Sequence, residues 1–231
     1  MLKRGFERGS RGSRGSERGL LGLRSVAFIV MLAVLAAPLA AQAPAGWKVR
    51  IDRSQSAADP DNTPNLKFMT MGKGFHVVSG PAGTFWNPAN TATGDYTVKA
   101  TFNLLKPSNH TNYYGLVFGG GDLDGTGQNY IYFLIAQDGT YLVKHRAGEA
   151  VHDVQRTTPH KAIVTPDAKG QSKNTLEVRV AGNTISYVVN GTVVHTTPKT
   201  GMTAKTDGVA GVRVNHVLEV HVEGFEVQKA K

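Results

Sequence analysis

The 231-residue sequence contains no cysteine. That absence excludes disulfide cross-links, thiol catalysis and cysteine metal ligation. Downstream of residue 43 no stretch combines the i, i+3, i+4, i+7 apolar spacing of a helix with capping residues. A clustered basic stripe is also missing. Residues 1–43 hold seven of the 26 lysines and arginines and two of the 17 acids. The remainder therefore carries 19 basic and 15 acidic residues, a net charge of +4, scattered and alternating in sign. Nucleic acid is excluded as a partner, because it demands a clustered footprint. The eight histidines (76, 110, 145, 152, 160, 195, 216 and 221) include no pair at zinc-protease spacing. The glycines of 119–127 are followed by neither Lys-Ser/Thr nor a helix, so they are not a phosphate loop.

The amino-terminal segment has its own character. Residues 1–24 are rich in Arg, Gly and Ser, and an apolar run from Val26 to Ala37 ends in Pro38-Leu39-Ala40-Ala41-Gln42-Ala43. A basic region, a short apolar helix and small residues at the end make a secretory signal peptide over 1–43. Its apolar part, about a dozen residues, is short for a hydrocarbon core about 30 Å thick. No twin-arginine pair precedes it, which favours the general secretory route. The expected product is secreted or periplasmic, free of the membrane once the signal is removed.

The rest reads as strands and turns. Residues 44–65 form a polar linker around a first strand, Trp47–Asp52, and 66–229 form the main domain. Asp95–Leu105 alternates strictly, with Tyr96, Val98, Ala100, Phe102 and Leu104 on one face. Residues 174–197 hold three β-rich runs joined by Gly182-Asn183 and Asn190-Gly191. Asn-Gly accepts the two positive φ angles of a type I′ turn, and Gly-first suits type II′. Asp138-Gly139 between Tyr130–Gln137 and Thr140–Arg146 predicts another I′ hairpin. Asn87-Pro88 reads as the end of a short strand, and Gly224 as a bulge that shifts the apolar set to Phe225 and Val227. About a dozen short strands with frequent turns predict an all-β, two-sheet antiparallel sandwich, with the signal helix outside it.

Gly115-Leu-Val-Phe118, Asn129-Tyr-Ile-Tyr-Phe-Leu-Ile135, Asp138-Gly-Thr-Tyr141 and Lys144-His-Arg146 resemble strands of concanavalin A-like jelly rolls. Leu176-Glu-Val-Arg-Val180, Ile185–Gly191 and the closing strands fit the same pattern. The resemblance extends to laminin-G-like domains and to 3-keto-disaccharide hydrolase-like domains, and covers roughly 65–228. It implies two sheets, one of them concave. The glucanases of that superfamily carry a Glu-x-Asp-x-x-Glu strand, whereas Tyr130–Gln137 has no acid. Retaining hydrolysis needs carboxylates about 5 Å apart. Glu219 and Glu223, four residues apart on one strand, stand about 13 Å from each other.

The candidate ligand-binding residues are Trp86, Tyr114, Tyr130, Tyr132, His145 and Arg146, because aromatic faces stack on sugars and Tyr and Arg hydrogen-bond ring hydroxyls. Tyr130 and Tyr132 share a face that is expected to be exposed and concave. Asp122 and Asp124 offer two hard oxygen ligands for calcium. His145 and His152, flanking the Gly148 turn, are placed to face each other. The expected function is an exported module that binds oligo- or polysaccharide without a catalytic acid pair. A glycoside-processing enzyme of the 3-keto-disaccharide type and a structural envelope or adhesion module are the alternatives.

Overall fold

The computed structural model describes residues 43–52 and 66–229; the segment 1–43 expected to be a signal peptide lies, up to residue 42, outside the described residues. In chain order the strands are β1 (Lys48–Asp52), β2 (Lys67–Met71), β3 (Gly74–Val78), β4 (Ala82–Ala92), β5 (Tyr96–Lys106), β6 (Tyr113–Gly121) and β7 (Asn129–Ala136). They continue as β8 (Thr140–Ala147), β9 (Ala150–Pro159), β10 (Ser172–Ala181), β11 (Thr184–Val189), β12 (Thr192–Pro198), β13 (Gly208–Val214) and β14 (Glu219–Lys229). Two seven-stranded antiparallel sheets result, in the orders β1-β4-β13-β6-β7-β8-β9 and β12-β11-β10-β5-β14-β3-β2. The architecture is the expected all-β sandwich.

Strand alternation builds the core. From the first sheet, Leu116, Phe118, Ile131, Phe133, Val143 and Val212 point between the sheets. Val98, Phe102, Leu176, Val178, Val220 and Val222 meet them from the second. Burying each such side chain stabilises the fold by about 1.5–3 kcal/mol. Two of the buried tyrosines keep a polar contact: the Tyr96 hydroxyl donates to the Thr206 carbonyl, and that of Tyr187 lies 3.2 Å from Thr197 Oγ1.

The β10-β11-β12 meander forms as its turns dictate. Asn190 and Gly191 both have positive φ, 51° and 81°, between Val189 and Thr192. Gly182 alone is positive in the other turn, as type II′ requires. The Asn190 side chain also accepts from Thr175 N and donates to Ala162 O, both at 2.8 Å, which ties the polar connection 160–171 to the meander.

Two expectations are corrected. The hairpin between β7 and β8 is not type I′: only Gly139 has positive φ, and its amide bonds Ala136 O at 3.1 Å. This is a three-residue loop whose left-handed glycine follows a tight turn. Asp138 then accepts from the Thr140 amide and hydroxyl, at 3.1 and 2.6 Å, instead of adopting positive φ. Nor does Asn87-Pro88 end β4. Trp86 pairs with Gly211 and Thr91 with Val209, so residues 87–90 bulge out while the strand continues. Gly224 behaves as expected, with φ of 59° and one extra residue opposite β5.

Candidate functional site

The outer face of the first sheet carries the densest chemistry among the described residues. Residues of β7 alternate between two apolar clusters: Ile131, Phe133 and Ile135 join the main core, while Tyr130, Tyr132 and Leu134 join a second one with Trp86, Val117, Leu123 and Leu142. The register places Arg146 and Lys144 of β8 opposite Tyr130 and Tyr132. On the other side, β13 sets Arg213 beside Thr84 of β4, and β1 sets Arg50 opposite that same Thr84 and Asp52 opposite Ala82. Adjacent strands thus supply one continuous surface.

Arg213 is its centre. Its Nη1 donates to Asp52 Oδ2 at 2.6 Å, Thr84 Oγ1 at 2.9 Å and Tyr130 Oη at 3.2 Å. Its Nε donates to Asn215 Oδ1 at 3.1 Å, and its guanidinium lies 5.4 Å from the centroid of the Tyr132 ring. Burial opposes the charge on Arg213, but Tyr130, Asp52 and Tyr132 more than offset this and raise its pKa. Burial likewise pushes the Asp52 carboxyl up. The charge and hydrogen bond of Arg213, helped by Arg146 and Arg50, outweigh that and hold it below the usual carboxylate value. The Tyr132 hydroxyl is pushed up to about 12 by burial, with Arg213 pulling the other way.

A loop roofs part of this face. Leu123 packs into the outer cluster, and Arg50 Nη1 donates to Gly125 O at 2.7 Å. Asp122 accepts the Gly127 amide at 2.9 Å, and Asp124 meets Lys48 Nζ at 2.5 Å. The two acids expected to ligate calcium are therefore already engaged, one by the loop backbone and one by a lysine. Among the described residues no group of three or more His, Asp or Glu is arranged to hold a metal ion.

Of the six residues that the sequence singled out for binding, Trp86, Tyr130, Tyr132 and Arg146 share this face. The aromatic rings are not exposed as expected: Trp86, Tyr130 and Tyr132 are 3%, 1% and 6% accessible. Tyr114 lies in the core between the sheets, its ring 5.7 Å from Phe102. His145 points to the opposite side of β8 from Arg146. It stacks on His152 at 6.0 Å, as its place beside the Gly148 turn foreshadowed, and its Nε2 is 3.3 Å from Asn129 Oδ1. Arg213, Arg50 and Asp52 were not singled out. Their only local signal is a charge alternating with Val or Ile along a strand, which is also how an ordinary solvated face looks.

The histidines give an acid response. Burial, then His152 and Lys205, hold His145 below 6.5, and burial does the same for His195. The folded state therefore binds fewer protons there than the unfolded chain. Stability from these groups is present above about pH 6.5 and is lost as pH falls through the folded-state values. The melting temperature is expected to drop between pH 7.5 and 5.5, and to drop less in His145→Gln. Equal slopes for the two proteins would contradict this assignment.

No protein-family model and no curated protein matches the sequence. Solved structures do. A carbohydrate-binding module, CBM66, from Bacillus subtilis aligns over 80% of this chain and 96% of its own, with a TM-score of 0.56 and 13% identity. The shared fold is a jelly-roll β-sandwich. A Bacteroides ovatus GH16 protein of a mixed-linkage glucan locus shares the jelly roll at a TM-score of 0.53 and 9% identity, over 78% of this chain and 94% of its own. Alginate lyase A1-II′, of polysaccharide lyase family 7, does so at 0.50 and 14%, over 80% and 95%. At such identities the jelly roll itself is what is shared. Cavities of 240–290 Å³ lie elsewhere on it, and none of their lining residues belongs to the Arg213 cluster.

Proposed function

We propose that this jelly roll is an exported carbohydrate-binding module, and that it grips sugar hydroxyls with the charged groups over the outer face of the first sheet. One observation carries this reading: Arg50, Arg146, Arg213 and Asp52 converge above Tyr130 and Tyr132 with side chains 22%, 12%, 9% and 16% exposed. Each group is held by its neighbours yet keeps an edge open. Pre-oriented planar groups of this kind form paired hydrogen bonds to vicinal hydroxyls at low entropic cost. The roofed aromatic rings supply a rigid floor rather than a stacking platform. The carbohydrate-binding module, the glucan-locus protein and the alginate lyase that share the fold support a sugar ligand, and the amino-terminal segment supports export.

A glycan array with the exported protein is expected to give binding to a defined oligo- or polysaccharide. Arg146→Ala is expected to weaken it roughly 10–100-fold, the loss of a hydrogen bond to a charged group being about 1.5–3 kcal/mol. Silence across the array, or an unchanged affinity in Arg146→Ala, would overturn the reading. A glycoside-processing enzyme of the 3-keto-disaccharide type is the second reading, favoured by the ionised Asp52 held against Arg213 on the same face. Glucose release from a 3-keto-disaccharide, lost in Asp52→Asn, is the result that would put it first.

A further inference from the structure

Glu149 stands in the two-residue turn between β8 and β9, where Ala147 pairs with Ala150. Its carboxylate reaches Arg146 Nη2 at 3.1 Å and Arg50 Nη2 at 3.6 Å, so one acid bridges two guanidinium groups from opposite margins of the face. The partners differ sharply in exposure. The Glu149 side chain is 77% exposed, while those of Arg146 and Arg50 are 12% and 22% exposed. A carboxylate so open to water is held weakly, because solvent screens the pair. Asp52 is different: it lies deep against Arg213 at 2.6 Å and belongs to the frame.

Charge makes the same point. Three guanidinium groups face one buried carboxylate, and Glu149 supplies the second anion only from the solvent side. The remaining charges nearby pair among themselves: Lys144 with Asp153 at 3.2 Å, and Lys48 with Asp124. When Glu149 swings out, Arg146 Nη2 and Arg50 Nη2 lose their partner while Arg146 Nε stays on Gly148 O at 2.6 Å and Arg50 Nη1 on Gly125 O at 2.7 Å, and two such fixed donors suit the two oxygens of a carboxylate.

An unmatched polar group also lies beside this turn. Gln128 has no exposed surface, yet neither its Nε2 nor its Oε1 has a hydrogen-bond partner. Its backbone carbonyl accepts the Gly148 amide at 2.7 Å, which places it beside the turn that carries Glu149. A buried amide with both ends unmatched is costly unless a polar group reaches it.

We propose that the site takes a carboxylated sugar, a uronate unit of an acidic polysaccharide, whose carboxylate displaces Glu149 from between Arg50 and Arg146. Glu149 is then an internal stand-in for the ligand's own acid. This rests on the sugar-binding reading above and narrows it to a substrate class.

The test is calorimetric titration of the exported protein with matched pairs: oligogalacturonate against oligogalactose, and oligoglucuronate against cello-oligosaccharide. At least one uronate oligomer is expected to bind more than tenfold tighter than its neutral match. Glu149→Gln, at an exposed position that leaves the core untouched, is expected to raise the preference for the uronate over its neutral match about 3–10-fold. Carboxyl-reduced oligomers should lose the preference. Neutral oligomers bound equally well, with no effect of Glu149→Gln, would overturn the uronate proposal while leaving the sugar-binding reading standing. Polyglutamate bound as tightly as the uronates would overturn it too, showing bare anion attraction. Binding to none of these sugars would overturn the uronate proposal, and the sugar-binding reading falls with it only if the glycan array is silent as well.

Discussion

Arg213→Met is expected to lower the melting temperature by roughly 6–20 °C. Removing one member of a buried ion pair costs about 3–5 kcal/mol, because the partner charge stays behind without compensation. A domain of this length loses about 2–4 °C per kcal/mol. Here the abandoned partner is Asp52, together with the hydroxyls of Thr84 and Tyr130 that Arg213 also holds. The pH dependence separates this cause from a mere packing defect. Burial raises the Asp52 pKa, and Arg213 leads the groups that bring it below 3.8. In the native protein the contribution of Asp52 is therefore present above about pH 3.8 and is lost as pH falls through its lower folded value. In Arg213→Met the dominant counter-charge is gone, burial pushes the carboxyl up, and protonation relieves the strain. The gap between the two proteins should narrow as pH falls from 7 towards 4. Thermal melts across that range check it, and a constant gap, or one smaller than about 1 kcal/mol, would contradict the pair's role.

Phe133→Ala and Tyr132→Phe, at neighbouring positions of β7, are expected to have opposite consequences. Phe133 is fully buried between the sheets, its ring 5.3 Å from Tyr187 and 6.2 Å from Tyr141. Truncation leaves a cavity in a close-packed layer and costs about 3–5 kcal/mol. The outer-face arginines are left in place, so the dissociation constant for a bound glycan, measured well below the lowered melting point, should stay within about twofold. Tyr132 lies across the strand, on the face with Arg213. Tyr132→Phe keeps the ring and its packing, so stability should change by less than about 1 kcal/mol, a volume-conserving swap being well tolerated. The lost hydroxyl should nonetheless weaken glycan binding several-fold. If Phe133→Ala abolished binding at temperatures where it is folded, or if Tyr132→Phe left it unchanged, the division of labour between the two faces of β7 would be wrong.

The two faces were legible in part. Period-two alternation in β5 and the Asn190-Gly191 and Gly224 signals act through the local backbone, so a reader of the chain can see them. Local reasoning faltered where a tertiary partner decides the outcome. Pro88 cannot donate to a ladder, yet β4 runs on because its bulge leaves that position unpaired outside β13. Asp138 avoids positive φ because its carboxylate captures Thr140 and Thr111. Tyr113 and Tyr114 are consecutive aromatics, and only the sheet order shows that Tyr114 is the core residue while Tyr113 borders the outer cluster. His145 and Arg146, also consecutive, could not share a face on a strand, which alternation alone already implied.

The centre of the site was hidden for a different reason. Arg213 meets Asp52 across 161 residues of chain and Tyr130 across 83, and no spacing rule links such positions. The burial of the tyrosines is non-local in the same way. Period two tells which rings share a face, but not that Leu123 and the arginines cover them.

The most direct measurement is chemical-shift mapping of the isotope-labelled protein with the glycan that the array selects. Saturable shifts should concentrate on residues around Tyr130, Tyr132, Arg146, Glu149 and Arg213, with β5, β10 and β11 of the opposite sheet unmoved. Shifts centred on the opposite sheet, or none at saturating glycan, would contradict the assignment of sugar binding to this face.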